Sequence, residues 1–250
     1  MSGVGFAVGR PIPTGVEELD ASAVLRLALE ALGRDRLVHV SSFGPEDIVL
    51  LDLLCSLEPS PRVLTLDTGR LPAETYGLID RVRERFGVAI EVSFPAAEAV
   101  EAMVVDRGVN LFYRSVDDRI RCCAVRKVAP LWRALAGVDG WITGLRRDQA
   151  PTRADTPKIG RDLEHGLIWK IAPLADWTSD AVWRHIRARE LPYNALHDEG
   201  YRSIGCAPCT RAVRPDEDER AGRWWWEQAA ARECGLHVGR AVVTAEETTR

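Results

Sequence analysis

The chain has 250 residues, a formal net charge of −4 and 46% hydrophobic residues, which fits one α/β domain with or without an appendage. This charge excludes a general attraction to nucleic acid, so an anionic ligand needs a local basic pocket. Residues 1–14 lack a basic segment followed by an apolar core, and no apolar run reaches membrane-spanning length. We therefore expect a cytoplasmic protein without nucleic-acid or membrane partners.

Strands and helices alternate through the first half of the chain. Apolar residues at helical or strand spacing predict a helix at 17–32, a strand at 37–40, a helix at 48–57, a strand at 62–66, a helix at 72–86 and a strand at 88–92. This β-α-β-α-β order predicts a doubly wound, mostly parallel sheet, in which ligands bind at the carboxyl ends of the strands.

Two loops follow strand ends in this region, at residues 41–47 and 66–69. The first contains small residues and precedes a helix, so its backbone N–H groups suit an anion. It lacks the Walker pattern, which argues against a nucleoside triphosphatase. A plain β-to-α connection capped by serine explains the loop equally well, although two loops at one edge strengthen the case for binding.

The second half contains further elements and a third loop. The pattern predicts a helix at 96–107, a helical stretch around Cys122 and Cys123, a strand at 138–143, a basic loop at 144–149, an irregular segment with Arg153, Lys158 and Arg161, a strand at 167–171, a helix at 179–189 capped by Ser179, and a helix after Trp226. The third loop joins the first two at the presumed ligand edge.

Four of the six cysteines form two close pairs, Cys122 with Cys123 and Cys206 with Cys209. Four soft thiolates suit a tetrahedral zinc ion or an iron–sulfur cluster. A redox disulfide of the C-x-x-C kind is the remaining alternative, but it usually lies in a thioredoxin-like unit that is not visible upstream. Metal binding is therefore the favoured interpretation.

The adjacent pair favours a cluster over a single zinc ion. Structural zinc sites generally use two separated C-x-x-C-like pairs, and directly adjacent thiolates fit one ion poorly. In a cubane, neighbouring residues can each reach a different iron. The sequence therefore predicts a 4Fe-4S cluster as the cofactor, held by Cys122, Cys123, Cys206 and Cys209.

Two further residues have both a chemical and a plain interpretation, and a third has only a plain one. Cys234 has Arg232 and His237 nearby, and cationic neighbours favour a reactive thiolate, although a free surface thiol is the alternative. Lys127 lies four residues beyond Cys123, where it either couples a cluster to an anionic ligand or is simply solvated. Cys55 lies in an apolar run and is interpreted as a small buried hydrophobe.

Several motifs occur together: Cys122-Cys123 with Lys127, the stretch from Ile204 to Cys209, the stretch from Gly222 to Glu227, and Glu233-Cys234-Gly235-Leu236-His237. In combination they resemble the assimilatory adenylyl-sulfate (APS) reductases of bacteria, the iron–sulfur type within the PAPS/APS reductase family. The resemblance covers nearly the whole chain, from Leu37 to His237.

The resemblance implies a sheet of the adenine nucleotide alpha hydrolase-like type with a cluster-bearing C-terminal segment. It also implies thioredoxin-dependent reduction of APS to sulfite and AMP, in sulfate assimilation for cysteine biosynthesis. Cys234 would attack the sulfate sulfur to give a cysteine S-sulfonate, which thioredoxin, as a separate electron donor, then reduces. The four paired cysteines would hold the cluster.

Eight residues are implied at the substrate. By this resemblance Lys127, Arg153, Arg220 and Arg223 would contact the phosphosulfate, and Ser41, Leu66, Thr68 and Gly144 would line the nucleotide site. Guanidinium groups suit this task because the leaving group is a phosphate on which charge builds up.

The expected organisation has four parts: an N-terminal tail at 1–16, a nucleotide-binding reductase domain with the cluster at 17–209, a segment carrying the catalytic cysteine at 210–237, and a tail at 238–250. Two alternatives stay open. One is a reductase for 3'-phosphoadenylyl sulfate (PAPS) on the same scaffold, although such relatives commonly lack the cluster cysteines. The other is a non-catalytic iron–sulfur or zinc redox sensor. A homo-oligomer is compatible with either function.

Overall fold

A six-stranded sheet forms the centre of the computed structural model, which describes residues 14–227. Its strands are β1 (Leu37–Val40), β2 (Arg62–Leu66), β3 (Ile90–Ser93), β4 (Gly140–Ile142), β5 (Ile159–Asp162) and β6 (Ile168–Ile171). They lie in the order β3-β2-β1-β4-β6-β5, and all neighbours are parallel except β5 and β6. From β1 the chain adds β2 and β3 on one side and then β4 on the other, and this change of side opens a crevice at the carboxyl ends of β1 and β4.

Seven α-helices flank the sheet within residues 14–227. They are α1 (Ala21–Leu32), α2 (Pro45–Leu57), α3 (Ala73–Phe86), α4 (Ala97–Arg107), α5 (Val116–Cys123), α6 (Ala129–Ala134) and α7 (Ser179–Ala188). A π-helical turn, Ala124–Val128, joins α5 to α6. None of these helices combines the length and apolar character that crossing a membrane requires.

Apolar side chains cover both faces of the sheet, as parallel strands require. On β2, Val63 belongs to the main core with α1 and α2, whereas its neighbour Leu64 packs on the opposite face with Leu131 of α6. A separate apolar cluster contains Phe112, Trp224 and the four paired cysteines. The cysteines therefore lie beside the sheet, away from its main core.

The predicted doubly wound sheet is confirmed, and three local predictions are wrong. Residues 159–162 form an antiparallel edge strand where an irregular segment was expected, because β6 folds back on them after Gly166 and Leu167 with positive φ. The first helix starts only at Ala21, where the Asp20 side chain accepts a hydrogen bond from the Ala23 N–H. The α7 cap is Thr178 rather than Ser179.

Some predictions fall outside the described residues. They concern Cys234, the helix after Trp226, the tail at 238–250 and most of the N-terminal tail at 1–16.

Candidate active site

A cavity opens where β1, β2 and β4 end, and we call it the edge cavity. All eight predicted substrate residues line it: Ser41, Leu66, Thr68, Lys127, Gly144, Arg153, Arg220 and Arg223. They come from the three predicted loops, the π-helical turn and two later segments of the chain. Their common location is an observation, and the role of each residue in binding stays a prediction.

The first loop is held rigid by its own side chains. The Asp47 carboxylate accepts hydrogen bonds from the Ser42 N–H (2.6 Å) and hydroxyl (2.8 Å), and the Phe43 N–H donates to the Ser41 hydroxyl oxygen (3.1 Å). The Ser41 N–H donates to the Leu64 carbonyl oxygen. These three N–H groups are thus used within the protein, so positive charge for an anion must come largely from side chains.

A glycine is required where the first and third loops meet. A Cβ atom on Gly144 would lie 2.7 Å from Asp47 Oδ1 and 2.8 Å from Glu46 Cβ. No larger residue fits without moving α2, because both contacts involve the first turn of that helix. Gly144 therefore brings the end of β4 against the loop after β1.

Basic side chains reach the edge cavity from separate segments. Arg223 donates from Nη1 to the Ile204 carbonyl oxygen (3.2 Å), and its guanidinium lies where a Cβ on Gly205 would be. Arg153 is buried and donates to Gln149 Oε1 (2.5 Å). Lys127 comes from the π-helical turn. These cations provide the local basic pocket that the net negative chain needs.

The four paired cysteines line a second, smaller cavity, which we call the cysteine cavity. Cys122 and Cys123 end α5, and Cys206 and Cys209 flank a short helical turn in which the Cys209 N–H donates to the Cys206 carbonyl oxygen. Burial raises the pKa of Cys122, and it raises the pKa of Cys209 to about 12. Metal binding by these thiols must therefore release protons.

The surroundings of the cysteine cavity fit an anionic group with several atoms. Cationic side chains, namely Arg70, Arg119, Arg126 and Lys127, line it together with Phe112 and Trp224. The buried Trp224 Nε1 and Arg126 Nε have no hydrogen-bond partner within residues 14–227, and such donors suit cluster sulfides. The Thr68 hydroxyl lies 3.3 Å from Cys206 Sγ.

The four thiols line one cavity. In the described part of the chain, no three histidine, cysteine, aspartate or glutamate side chains are grouped closely enough to hold one metal ion.

Two connections join the cavities. Lys127 lines both of them. The Trp224 ring also contacts one arginine of each cavity, with Arg119 at 4.7 Å and Arg223 at 4.9 Å from its centre. Lys127 and the Trp224 ring therefore contact residues of both cavities.

Sequence reasoning missed Arg70, Arg119 and Arg126 at the cysteine cavity, and Asp47 in the first loop. Two local features of the sequence could have indicated some of these residues: Asp47 lies in the first turn of α2, and Arg126 is adjacent to Lys127.

Comparison with known proteins supports the relationship. Residues 36–212 match the family model described as a phosphoadenosine phosphosulfate reductase domain. The chain belongs to this family. It is thus an oxidoreductase that acts on a sulfur group.

Curated family members are similar over most of their length. An adenosine 5'-phosphosulfate reductase of Burkholderia cepacia is 49% identical over 223 residues, covering 89% of this chain and 87% of the relative. One of Pseudomonas aeruginosa (strain LESB58) is 46% identical over 227 residues, covering 89% and 84%.

Solved structures agree with the fold. A phosphate complex of the PAPS reductase from Candida auris has 30% sequence identity and a TM-score of 0.66, covering 78% of this chain and 91% of its own. Yeast FAD synthetase, at 15% identity and a TM-score of 0.54, covers 77% and 66% and shares the fold alone. The sheet is therefore of the adenine nucleotide alpha hydrolase type.

Proposed function

We propose that this enzyme reduces APS to sulfite and AMP with thioredoxin as the electron donor, in assimilatory sulfate reduction. One observation carries the proposal: the edge cavity, with all eight predicted substrate residues, shares Lys127 with a cavity lined by four cysteines. The names of the similar reductases support APS as the substrate.

The chain's own residues would hold the substrate as follows. Ser41, Leu66, Thr68 and Gly144 line the nucleotide part, where the close approach at Gly144 shapes the wall. Lys127, Arg153, Arg220 and Arg223 bind the phosphosulfate. Their charges neutralise the phosphate oxygens, on which negative charge increases as AMP leaves.

Cys234, which lies outside the described residues, is the proposed nucleophile. Its thiolate forms a bond to the sulfate sulfur, the bond from that sulfur to the phosphate oxygen breaks, and AMP departs with the electron pair. A thioredoxin thiolate then attacks the Cys234 sulfur of the S-sulfonate and releases sulfite. The second thioredoxin thiol resolves the mixed disulfide, so two electrons pass from thioredoxin to the sulfonate.

Cys122, Cys123, Cys206 and Cys209 would hold a 4Fe-4S cluster, which fits the cationic and donor-rich lining of their cavity. When bound, the cluster supplies a compact charged centre beside the phosphosulfate site. Arg126 and Trp224 would donate hydrogen bonds to it, and Lys127 would face both groups. A cytoplasmic location and a homo-oligomeric state stay predictions.

The experiment compares sulfite production from APS and from PAPS with thioredoxin, using anaerobically purified protein whose iron and zinc are assayed. We expect a preference for APS, iron in place of zinc, and loss of sulfite production in Cys234→Ser with full iron content. Cys55→Ser is the matched control, since Cys55 packs against the main core, and it should keep wild-type activity.

Three results would contradict the proposal. A clear preference for PAPS would indicate the alternative reductase. Zinc with no sulfite from either nucleotide would indicate a sensor. Full activity of Cys234→Ser would exclude Cys234 as the nucleophile.

A further inference from the structure

One guanidinium lies buried at the acidic side of the edge cavity. The Arg146 side chain is 1% exposed and contacts carboxylates from three segments: Glu46 in α2 (2.8 Å), Asp148 in the third loop, and Glu219 (3.2 Å) in the segment before Arg220. We call these four residues the Arg146 cluster. It contains three carboxylates and one guanidinium, beside a cavity expected to bind an anion.

Arg146 reaches the predicted phosphosulfate arginines along two routes. Through Glu219 it fixes the segment that contains Arg220, whose carbonyl oxygen accepts a hydrogen bond from the Arg223 N–H (2.9 Å). Losing this ion pair would remove the link between that segment and Arg146.

The second route passes through Gln149. The Arg146 N–H donates to Gln149 Oε1 (3.1 Å), and Arg153 Nη1 donates to the same oxygen (2.5 Å). The Gln149 amide nitrogen donates to Glu46 Oε1 (3.0 Å), which also accepts from Arg146 Nε. The first of these bonds comes from the Arg146 backbone and persists in any variant, so the Arg146 side chain acts on Gln149 and the Arg153 guanidinium through Glu46 Oε1.

Arg146 also compensates negative charge beside the edge cavity. Glu46 and Glu219 both line the edge cavity, and burial raises the pKa of Glu219 to about 7. Without a guanidinium between them, two carboxylates would repel each other and the incoming anion. A buried cation that contacts several carboxylates at this point therefore favours anion binding without touching the anion.

We propose that Arg146 is a positioning residue that orients Arg153 and Arg220 for the phosphosulfate and compensates the carboxylates Glu46 and Glu219. The inference rests on the proposed function for its substrate. Whatever the substrate, Arg146 controls the affinity for the anion through Gln149 and Glu219.

The test measures the dissociation constant of AMP by calorimetry and the KM and kcat for APS. Arg146→Met should raise the KM by about 10- to 100-fold, because displaced binding groups have effects of this size, with a smaller change in kcat. The matched control is Arg147→Met: the neighbouring side chain pairs with Glu17 instead and should leave the KM within about twofold, as expected for an exposed ion pair.

A rescue variant separates electrostatics from structural damage. Well above pH 7, where Glu219 is ionised in Arg146→Met, the double variant Arg146→Met/Glu219→Gln lacks one uncompensated carboxylate, so the KM and the AMP dissociation constant should recover part of the loss. A purely structural role of Arg146 would give no recovery. An unchanged KM in Arg146→Met, or a double variant that binds no better than the single one, would overturn the proposal.

Thermal unfolding and iron content show whether the variants are folded. If Arg146→Met does not fold, Arg146→Lys gives the measurement, since lysine keeps the charge without the guanidinium fork. It should raise the KM severalfold because the fork that contacts Glu46 and Glu219 is lost, and a wild-type KM would overturn the proposal. Wild-type turnover of APS tests the proposed function alone, whereas the AMP dissociation constants test Arg146 even where APS is not turned over.

Discussion

Asp47 and His39 form a buried pair beneath the first loop. His39 lies on β1 with its side chain fully buried, and its Nε2 is 4.0 Å from Asp47 Oδ1. Burial lowers the pKa of His39 to about 4 and raises the pKa of Asp47 to about 7. Because the Asp47 carboxylate also accepts hydrogen bonds from the N–H and the hydroxyl of Ser42, its ionisation state directly affects the loop after β1.

These two residues should affect stability in opposite directions. In the folded state Asp47 keeps its proton up to about pH 7, whereas in the unfolded state its carboxyl has the ordinary pKa of 3.8. Asp47 therefore makes the free energy of unfolding fall as the pH rises from 3.8 to about 7. His39 is protonated below pH 6.5 in the unfolded state but only near pH 4 in the folded state. His39 therefore makes the free energy of unfolding rise with pH between these two values. Each contribution is on the order of 3 to 4 kcal/mol.

Single substitutions should expose each slope. In Asp47→Asn the free energy of unfolding should increase between about pH 4 and pH 6.5, and in His39→Gln it should decrease with rising pH up to about pH 7. Denaturant unfolding across this pH range measures both, with wild-type protein as the flatter reference. Variants that keep the wild-type profile would show that neither group titrates as the burial requires.

At the scale of elements, α5 and the turn at 222–227 are joined by a buried ion pair. Arg119 donates to both carboxylate oxygens of Glu227 at 2.9 Å, and both side chains are 2% exposed. The same turn is fixed to the cysteine pair, since the Trp224 N–H donates to the Cys209 carbonyl oxygen (3.1 Å). The described chain ends at this anchor, with Cys234 following in sequence.

Glu227→Ala should lower the free energy of unfolding by about 3 to 5 kcal/mol, because it removes the carboxylate that compensates a buried guanidinium. Arg119→Met/Glu227→Met should cost less than the single change, since neither charge is then buried. Glu91→Gln is the control: its pair with Arg62 is partly exposed and should change the value by less than about 1 kcal/mol. Denaturant unfolding measures all three, and a double variant less stable than Glu227→Ala would contradict this account.

At the scale of the whole molecule, the sheet core and the apolar cluster around the cysteines are separate. The main core contains residues of α1, α2 and α7, whereas the second cluster combines α5 with the segments around Cys206 and Trp224. The edge cavity is lined by Glu46 and Asp47 of α2 and by Gly205 and Arg223 of the segments around Cys206 and Trp224.

Loss of the proposed iron–sulfur cluster should therefore destabilise the segments around the cysteines and leave the sheet core unchanged. Removing iron, or replacing Cys206 with Ser, should increase amide hydrogen exchange in residues 111–128 and 203–227 and leave β1 and β2 at wild-type protection. Cys55→Ala, with iron retained, is the control because Cys55 packs against the main core. Uniform loss of protection through the sheet, or wild-type iron content in Cys206→Ser, would contradict the expectation.

Much of the edge cavity could be predicted because its residues follow strand ends. Ser41, Leu66 and Gly144 lie at or just after the ends of β1, β2 and β4, and parallel strands bring these ends to one edge whatever else the chain does. The cysteines were visible from their spacing. The π-helical turn that presents Lys127 was not, since it departs from the period on which helix prediction depends.

The sequence by itself determined the parallel sheet, the position of the ligand edge and the four-cysteine set, because alternation, strand ends and cysteine spacing are local features. Only the tertiary structure decided which charges compensate each other. Arg146 meets Glu46 and Glu219, and Arg119 meets Glu227, across separations of 73 to 108 residues. Such pairs leave no periodic signal, since an arginine's partners depend on how the loops and helices pack.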